Sequence, residues 1–214
     1  MSVRFGVDEA GKGPVFGPMV VAAVACSEED LPEGVRDSKR LTPTRRKNLA
    51  RKLLNNPDIQ THTVHVTPEQ IDEPDSNLNT LTVQAHGEAV DGVATDGMDG
   101  TADACDTDTT RYTENLLSNT ETDVTVDGRH KADDYDPIVS AASIIAKVER
   151  DGVIEEIREE YGDIGSGYPS DQTTRDFLET YYREHGEFPP FARLSWKTCQ
   201  KITAAGENHG LSDF

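Results

Sequence analysis

The sequence predicts an α/β fold, a mixed sheet flanked by helices with a helical extension toward the C-terminus. Three observations carry that expectation. Short apolar or alternating runs near residues 3–7, 19–25, 61–66 and 122–126 have the length and composition of strands. Segments with apolar positions at helical spacing are interleaved with them. From residue 137 onward only helical patterns follow.

In chain order, Val3–Val7 and Met19–Ala25 read as buried strands, joined as a hairpin by the glycine- and proline-rich stretch "GKGPVFGP". Leu41-Thr42-Pro43 opens a helix to Leu54, with Thr42 as N-cap and proline in the first turn. Thr61–Val66 alternates like a strand. His62 and His65 within it point to opposite faces and do not suit a shared metal. Pro68–Asp72 and Asn77–Val90 read as helices. Residues 91–110 are almost entirely Asp, Gly, Thr and Ala, which allows only a short, weak strand. Arg111–Ser118 is helical, Thr122–Val126 is a strand, and the run from Pro137 through Ile157 is the strongest helical signal. "GSGYPSD" breaks it, and two further helices follow at Asp171–His185 and Ser195–Ala205. The expected division is 1–165 as the sheet domain and 166–214 as a helical region packed on it, with a flexible tail from about 206.

A chain of 214 residues suffices for one domain with a small appendage. Cys26, Cys105 and Cys199 are odd in number and far apart, so they predict reduced thiols, neither a disulfide framework nor a zinc site. No run approaches the roughly 20 apolar residues of a membrane span, and no secretory signal opens the chain, so a soluble, cytoplasmic protein is expected. The net charge of −19, from 40 acids against 21 bases, fits the solvated acidic surface of a salt-adapted protein. The bases are not evenly spread: "RDSKRLTPTRRKNLARK", Arg36 to Lys52, holds eight of them and one acid. That is the footprint a phosphate backbone needs, or else a solvated helix face.

Four acids stand where elements begin or end: Asp8 and Glu9 after the first strand, Asp103 in "ADACDTDT" and Asp133 in "RHKADDYDP". Hard divalent cations take oxygen ligands, and Mg²⁺ is held by a few carboxylates with waters and phosphate oxygens. Two such ions can activate a water and stabilise a leaving oxygen in phosphodiester hydrolysis. Strand alternation sends Asp8 and Glu9 to opposite faces, so a bend at the following glycines is expected if both serve one site.

"DEAGKGPVFGPMVVAA", "DSKRLT", "DACDTDT", "HKADDYDPIVSAASIIAKVERD", "YGDIGSGYPSD" and "WKTC", in this order, resemble ribonuclease HII in its archaeal form. The resemblance spans residues 3 to 202 or so. It implies a ribonuclease H-like catalytic domain that cleaves the RNA strand of RNA/DNA hybrids and the 5′ side of ribonucleotides embedded in duplex DNA. It implies two Mg²⁺ or Mn²⁺ ions at Asp8, Glu9, Asp103 and Asp133, with Asp8 bridging. It further implies that Gly11-Lys12-Gly13 approaches the ribose at the RNA-to-DNA junction and that Tyr168 packs on the neighbouring deoxyribose. Lys12 stands where the family commonly has arginine, keeping the charge without the planar fork of donors. Lys39 and Lys147 are candidates for phosphate contact and His130 for assisting metal exchange or proton movement, while Ser140 and Ser143 read as packing residues. Leu211 and Phe214 resemble a shortened sliding-clamp motif, with a frayed tail as the alternative. A non-catalytic acidic module that binds hybrids or metal, or a related DNA nuclease of the same fold, are the rival functions.

Overall fold

The computed structural model describes residues 2–36, 41–75 and 77–210. Its elements are β1 (Arg4–Ala10), β2 (Met19–Cys26), α1 (Pro43–Leu54), β3 (Gln60–Val66), α2 (Pro68–Asp72), α3 (Leu78–Asp91), β4 (Asp99–Asp103), α4 (Thr109–Ser118), β5 (Thr125–Arg129), α5 (Pro137–Tyr161), α6 (Gln172–His185) and α7 (Lys197–Gly210). The α/β class and the helical C-terminal region are as expected. Lys39, Leu211 and Phe214 lie outside the described residues.

The chain forms two compact units that do not follow the expected boundary at 165/166. The first is Met1–Ala10, Val20–His65 and Asn77–Arg150; the second is Gly11–Met19, Val66–Ser76 and Asp151–Phe214. The division falls inside α5, and the second unit draws in the turn after β1. The cause is burial: Val15 and Phe16 of that turn share one core with Ile154, Ile164, Leu178 and Phe191, all apolar side chains far away in sequence. Burying each contributes about 1.5–3 kcal/mol.

In the first unit the sheet order is β3-β2-β1-β4-β5. β1 runs antiparallel to β2 and parallel to β4, and β4 runs parallel to β5. Every residue of β2 is buried. One face of the sheet, through Ala10, Ala22, Val24 and Cys26, packs on Leu49, Ala50 and Leu53 of α1 and on Ile138, Ala141 and Ile145 of α5. The approach of α5 is very close, because a Cβ on Gly6 would lie 2.5 Å from the backbone nitrogen of Val139. Small side chains on the buried stretch of α5, Ser140, Ala141, Ala142 and Ser143, accompany that approach. On the other face α3 buries Val83, His86, Ala89 and Val90.

β1 is longer than expected. It continues to Ala10, so Asp8 and Glu9 lie within the strand, opposite Ala22 and Val21 of β2. Pairing with an apolar neighbour holds the two acids in the strand where the sequence alone reads an exit. β4 is short, as expected, yet it lies between β1 and β5. Gly100 makes room there, since a Cβ at that position would sit 2.3 Å from the Phe5 ring. Phe5 supplies the bulk that β4 lacks. β5 begins three residues later than its predicted start at Thr122. The backbone of α7 is helical through Gly210, and residues 211–214 of the expected tail lie outside the described residues.

In the second unit, α6 carries the αL C-cap Gly186 and buries Thr174 and Leu178. Asp72 at the end of α2 accepts from the backbone N–H groups of Leu194 and Ser195. Among the described residues no helix is long and apolar enough to cross a membrane. All three cysteines are free.

Gly6→Ala should cost at least 2 kcal/mol in denaturant unfolding, toward the upper range for overpacking, because the atom it meets is helix backbone and cannot swing aside. Unfolding within 0.5 kcal/mol of the parent would contradict the close packing of α5 on β1.

Candidate active site

Alternation along β1 sends its two acids to different helices, and the chain turns only after Ala10, at Gly11 with φ 86°. Asp8 shares its face with Gly6 and Ala10, is 5% exposed, and hydrogen-bonds the hydroxyl of Ser143 on α5. Lys147, one turn further on, donates from Nζ to Ser143 Oγ at 2.6 Å. Asp8 Oδ1 also accepts from the backbone N–H of Glu9 at 2.8 Å. Glu9 faces α3, where its Oε2 meets Nε2 of His86 at 3.1 Å. The two carboxylates nonetheless repel each other, and both repel Asp103.

Asp103 ends β4. Its Oδ1 accepts from the backbone N–H of Ala132 at 3.2 Å, and the N–H of Lys131 also bonds this carboxylate. Consecutive amides can aim at one carboxylate here because Lys131 adopts a left-handed conformation, φ 55°, the only non-glycine residue to do so among those described. The turn sets Asp133 two residues later, 9% exposed and repelling Asp103. The neighbouring acids have other duties. Asp106 binds the guanidinium of Arg111, which holds its carboxyl at about 2. Asp108 caps α4. Asp136 accepts from Arg4, Thr101 and the backbone of Ile138. These bonds occupy Asp106, Asp108 and Asp136 apart from Asp103 and Asp133.

Burial, then repulsion from Glu9 and Asp103, holds the Asp8 carboxyl well above its usual range, against the pull of Ser143 and Lys147. Asp103 is raised as well, chiefly by burial and then by Glu9 and Asp133, while the amides of Ala132 and Lys131 oppose the shift. The four acids are thus a charge cluster in need of cations. The donor set is all carboxylate oxygen, the chemistry that hard divalent ions take. Among the described residues no group of three or more His, Cys, Asp or Glu side chains could by itself hold a metal ion. A hard ion such as Mg²⁺ or Mn²⁺ at these carboxylates would complete its shell with waters and phosphate oxygens.

Three participants escaped the sequence reading. Ser143, assigned there to packing, bonds Asp8; Ser140 does serve structure, donating to Val35 O. His86 and Tyr112, both fully buried, continue the chain from Glu9, with Tyr112 Oη 2.5 Å from His86 Nδ1. Burial and the nearby acids push the Tyr112 hydroxyl well above its usual range, so it keeps its proton and donates to Nδ1, while Nε2–H donates to Glu9. The available signal was a histidine on the apolar face of α3, in register with Thr82, Val83, Ala89 and Val90. His130 is exposed at the turn after β5.

The second unit holds the remaining candidates. Gly11, φ 86°, opens a loop whose carbonyls are gathered by one buried arginine. Arg193 donates from Nη2 to Gly11 O at 2.6 Å, from Nη1 to Lys12 O at 3.1 Å and from Nε to Gly17 O at 2.9 Å. Trp196 packs on that guanidinium and donates from Nε1 to Gly13 O at 3.1 Å. Tyr168, 45% exposed, lies against Gly13, where a Cβ would be 3.7 Å from its ring. No sequence signal flags Arg193, because its acceptors are main-chain atoms.

Acids converging from β1, from β4 and from the turn after β5 on a sheet of this order define a nuclease of the ribonuclease H-like fold. The family model described as Ribonuclease HII matches residues 5–199. A Ribonuclease HII of Haloarcula marismortui is 50% identical over 212 residues, 99% of this chain and 100% of that one. The crystal structure of the ribonuclease H2 from Pyrococcus horikoshii OT3 superposes with a TM-score of 0.89 at 40% identity, covering 95% of this chain and 98% of the other. The ribonuclease HII in the PCNA complex from Archaeoglobus fulgidus gives 0.80 at 39% identity, covering 93% and 96%. The chain belongs to the ribonuclease HII family, in its archaeal form, and is a ribonuclease H enzyme.

Asp8→Asn should stabilise the ion-free protein at pH 7.5, since a raised carboxyl favours the fold only while protonated and loses that contribution as pH rises through its folded value. Unfolding in EDTA from pH 4 to 8 checks this, and the gap between variant and parent should widen toward alkaline pH. Tyr112→Phe leaves His86 Nδ1 buried without a donor and should cost about 1–3 kcal/mol in the same assay.

Proposed function

We propose that the chain hydrolyses the RNA strand of RNA/DNA hybrids and the bond on the 5′ side of ribonucleotides embedded in duplex DNA, leaving 3′-hydroxyl and 5′-phosphate ends. The observation that carries this reading is the charge cluster of Asp8, Glu9, Asp103 and Asp133 in a chain of this family. Hydrolysis adds water across the P–O3′ bond: the water oxygen joins phosphorus, and the departing 3′ oxygen ends with a proton. Two Mg²⁺ or Mn²⁺ ions, for which the four acids would be the protein ligands, would supply an activated water and stabilise the leaving oxygen.

The other side chains position and recognise. Ser143 and Lys147 hold Asp8, the paired amides of Lys131 and Ala132 hold Asp103, and His86 holds Glu9. Orientation matters because partners of metal ligands are typically worth 10–100-fold in affinity or rate. Arg193 and Trp196 fix Gly11-Lys12-Gly13 as a preset surface, suited to the ribose 2′-hydroxyl that separates RNA from DNA. Lys12 adds a point charge for phosphate, and the exposed ring of Tyr168 offers an apolar face for the adjoining sugar. Lys39 is assigned to phosphate contact on the resemblance alone. The PCNA complex from Archaeoglobus fulgidus supports a clamp contact for this chain too, assigned to Leu211 and Phe214. Deleting 211–214 should abolish retention on immobilised clamp.

The test is a labelled duplex with one ribonucleotide beside the identical all-DNA duplex, with Mg²⁺ or Mn²⁺ from low to molar KCl. One cut 5′ to the ribonucleotide is expected, absent from the control and slowed more than about a hundredfold by Asp8→Asn. Cutting of both duplexes would favour a general nuclease of the same fold. Binding without cutting under every condition would favour a non-catalytic module.

A further inference from the structure

The outer face of α1 runs against the character of the whole chain. Arg45, Lys47, Arg51 and Lys52 are all exposed there, opposite the buried stripe of Leu49, Ala50 and Leu53. α1 contains no acid, and among the described residues none of these four cations makes an ion pair, although the chain carries 40 acids. Elsewhere on the surface Arg36, Arg111 and Arg129 each meet a carboxylate. On a helix the four positions fall into two rows, Arg45 with Lys52 and Lys47 with Arg51, flanking the face turned to solvent.

The location ties this face to the acids. α1 and α5 cover the same side of the sheet, the side onto which Asp8 projects, and they share one core with Ala22, Val24 and Ala10. Lys147 of α5, beside Asp8, therefore belongs to the same helical layer as the four cations of α1.

We propose that the outer face of α1 grips the phosphate backbone of a duplex arm of the nucleic-acid substrate, away from the nucleotides at the cut. It rests on the hydrolase reading given above and extends it to a second contact. Charge complementarity selects the occupant. Four unpaired cations spaced along about 10 Å of helix, at 1.5 Å per residue, match a polyanion. In a chain with 40 acids, α1 keeps four cations on one acid-free helix face, and they add charge attraction that does not depend on which base is bound.

The experiment measures binding and cleavage of the ribonucleotide-containing duplex by the full chain and by the quadruple variant Arg45→Gln, Lys47→Gln, Arg51→Gln, Lys52→Gln, from 0.1 to 1 M KCl. Binding is read by fluorescence anisotropy in a Ca²⁺ buffer without Mg²⁺ or Mn²⁺, and thermal unfolding confirms that the variant is folded. A second variant, Lys47→Arg with Lys52→Arg, keeps the charge. The expected result is a Kd raised at least tenfold at 0.1 M KCl. The slope of log K against log salt should fall by two or more, since each phosphate contact contributes about 0.9. The loss should appear in KM far more than in kcat, and the arginine variant should bind like the parent. Equal Kd and equal slope in parent and quadruple variant would overturn the proposal while leaving the hydrolase reading intact. A parent that neither binds nor cuts the duplex would sink the hydrolase reading and this proposal with it.

Discussion

The contact of α5 with β1 is the constraint on which both the core and the site depend. Gly6 brings the helix backbone to within van der Waals range of the strand, and small side chains on α5 accompany that approach. Two residues along β1 stands Asp8, and one turn further along α5 stands Ser143, so the same proximity that closes the core delivers a hydroxyl to the carboxylate. Lys147 follows at the next turn. A bulkier residue at 6 would act on the core and on the hydrogen bonds of Asp8 together.

The acids are held against their own repulsion by the surrounding scaffold. Asp8, Glu9 and Asp103 each lean on a different support: a helix hydroxyl, a buried imidazole and a pair of turn amides. None of the three supports carries a fixed positive charge, and Lys147 reaches Asp8 through Ser143. The arrangement fixes directions while burial and mutual repulsion still raise Asp8 and Asp103, the condition under which a bound cation gains most.

Much of this was legible in the sequence, for physical reasons that differ between elements. α1 was readable to the residue because Thr42 and Pro43 are strong start signals and its apolar stripe is regular. The left-handed Lys131 gives the "HKAD" turn that carries Asp133 its defined shape, a conformation that no propensity of lysine announces. The centre of the sheet was not readable, since β4 is built of small residues and takes its bulk from Phe5 of another strand. Nor was the boundary between the two units, since Val15 and Phe16 join a core assembled from residues more than 130 positions later. His86, Tyr112 and Ser143 were missed because each looks like packing until its partner across the fold is known.

The clamp formed by Arg193 has a temporal side. Its three acceptors, the carbonyls of Gly11, Lys12 and Gly17, emerge from the ribosome 176 to 182 residues before their donor. Closing a contact over so long a stretch is among the slower events available to a chain of this size. The glycine loop is therefore among the first segments made and among the last to reach its final shape. Until the donor arrives, the carbonyls of a nascent chain's glycine loop stay without the guanidinium that gathers them, so this loop takes its final shape only when the C-terminal quarter of the chain is in place.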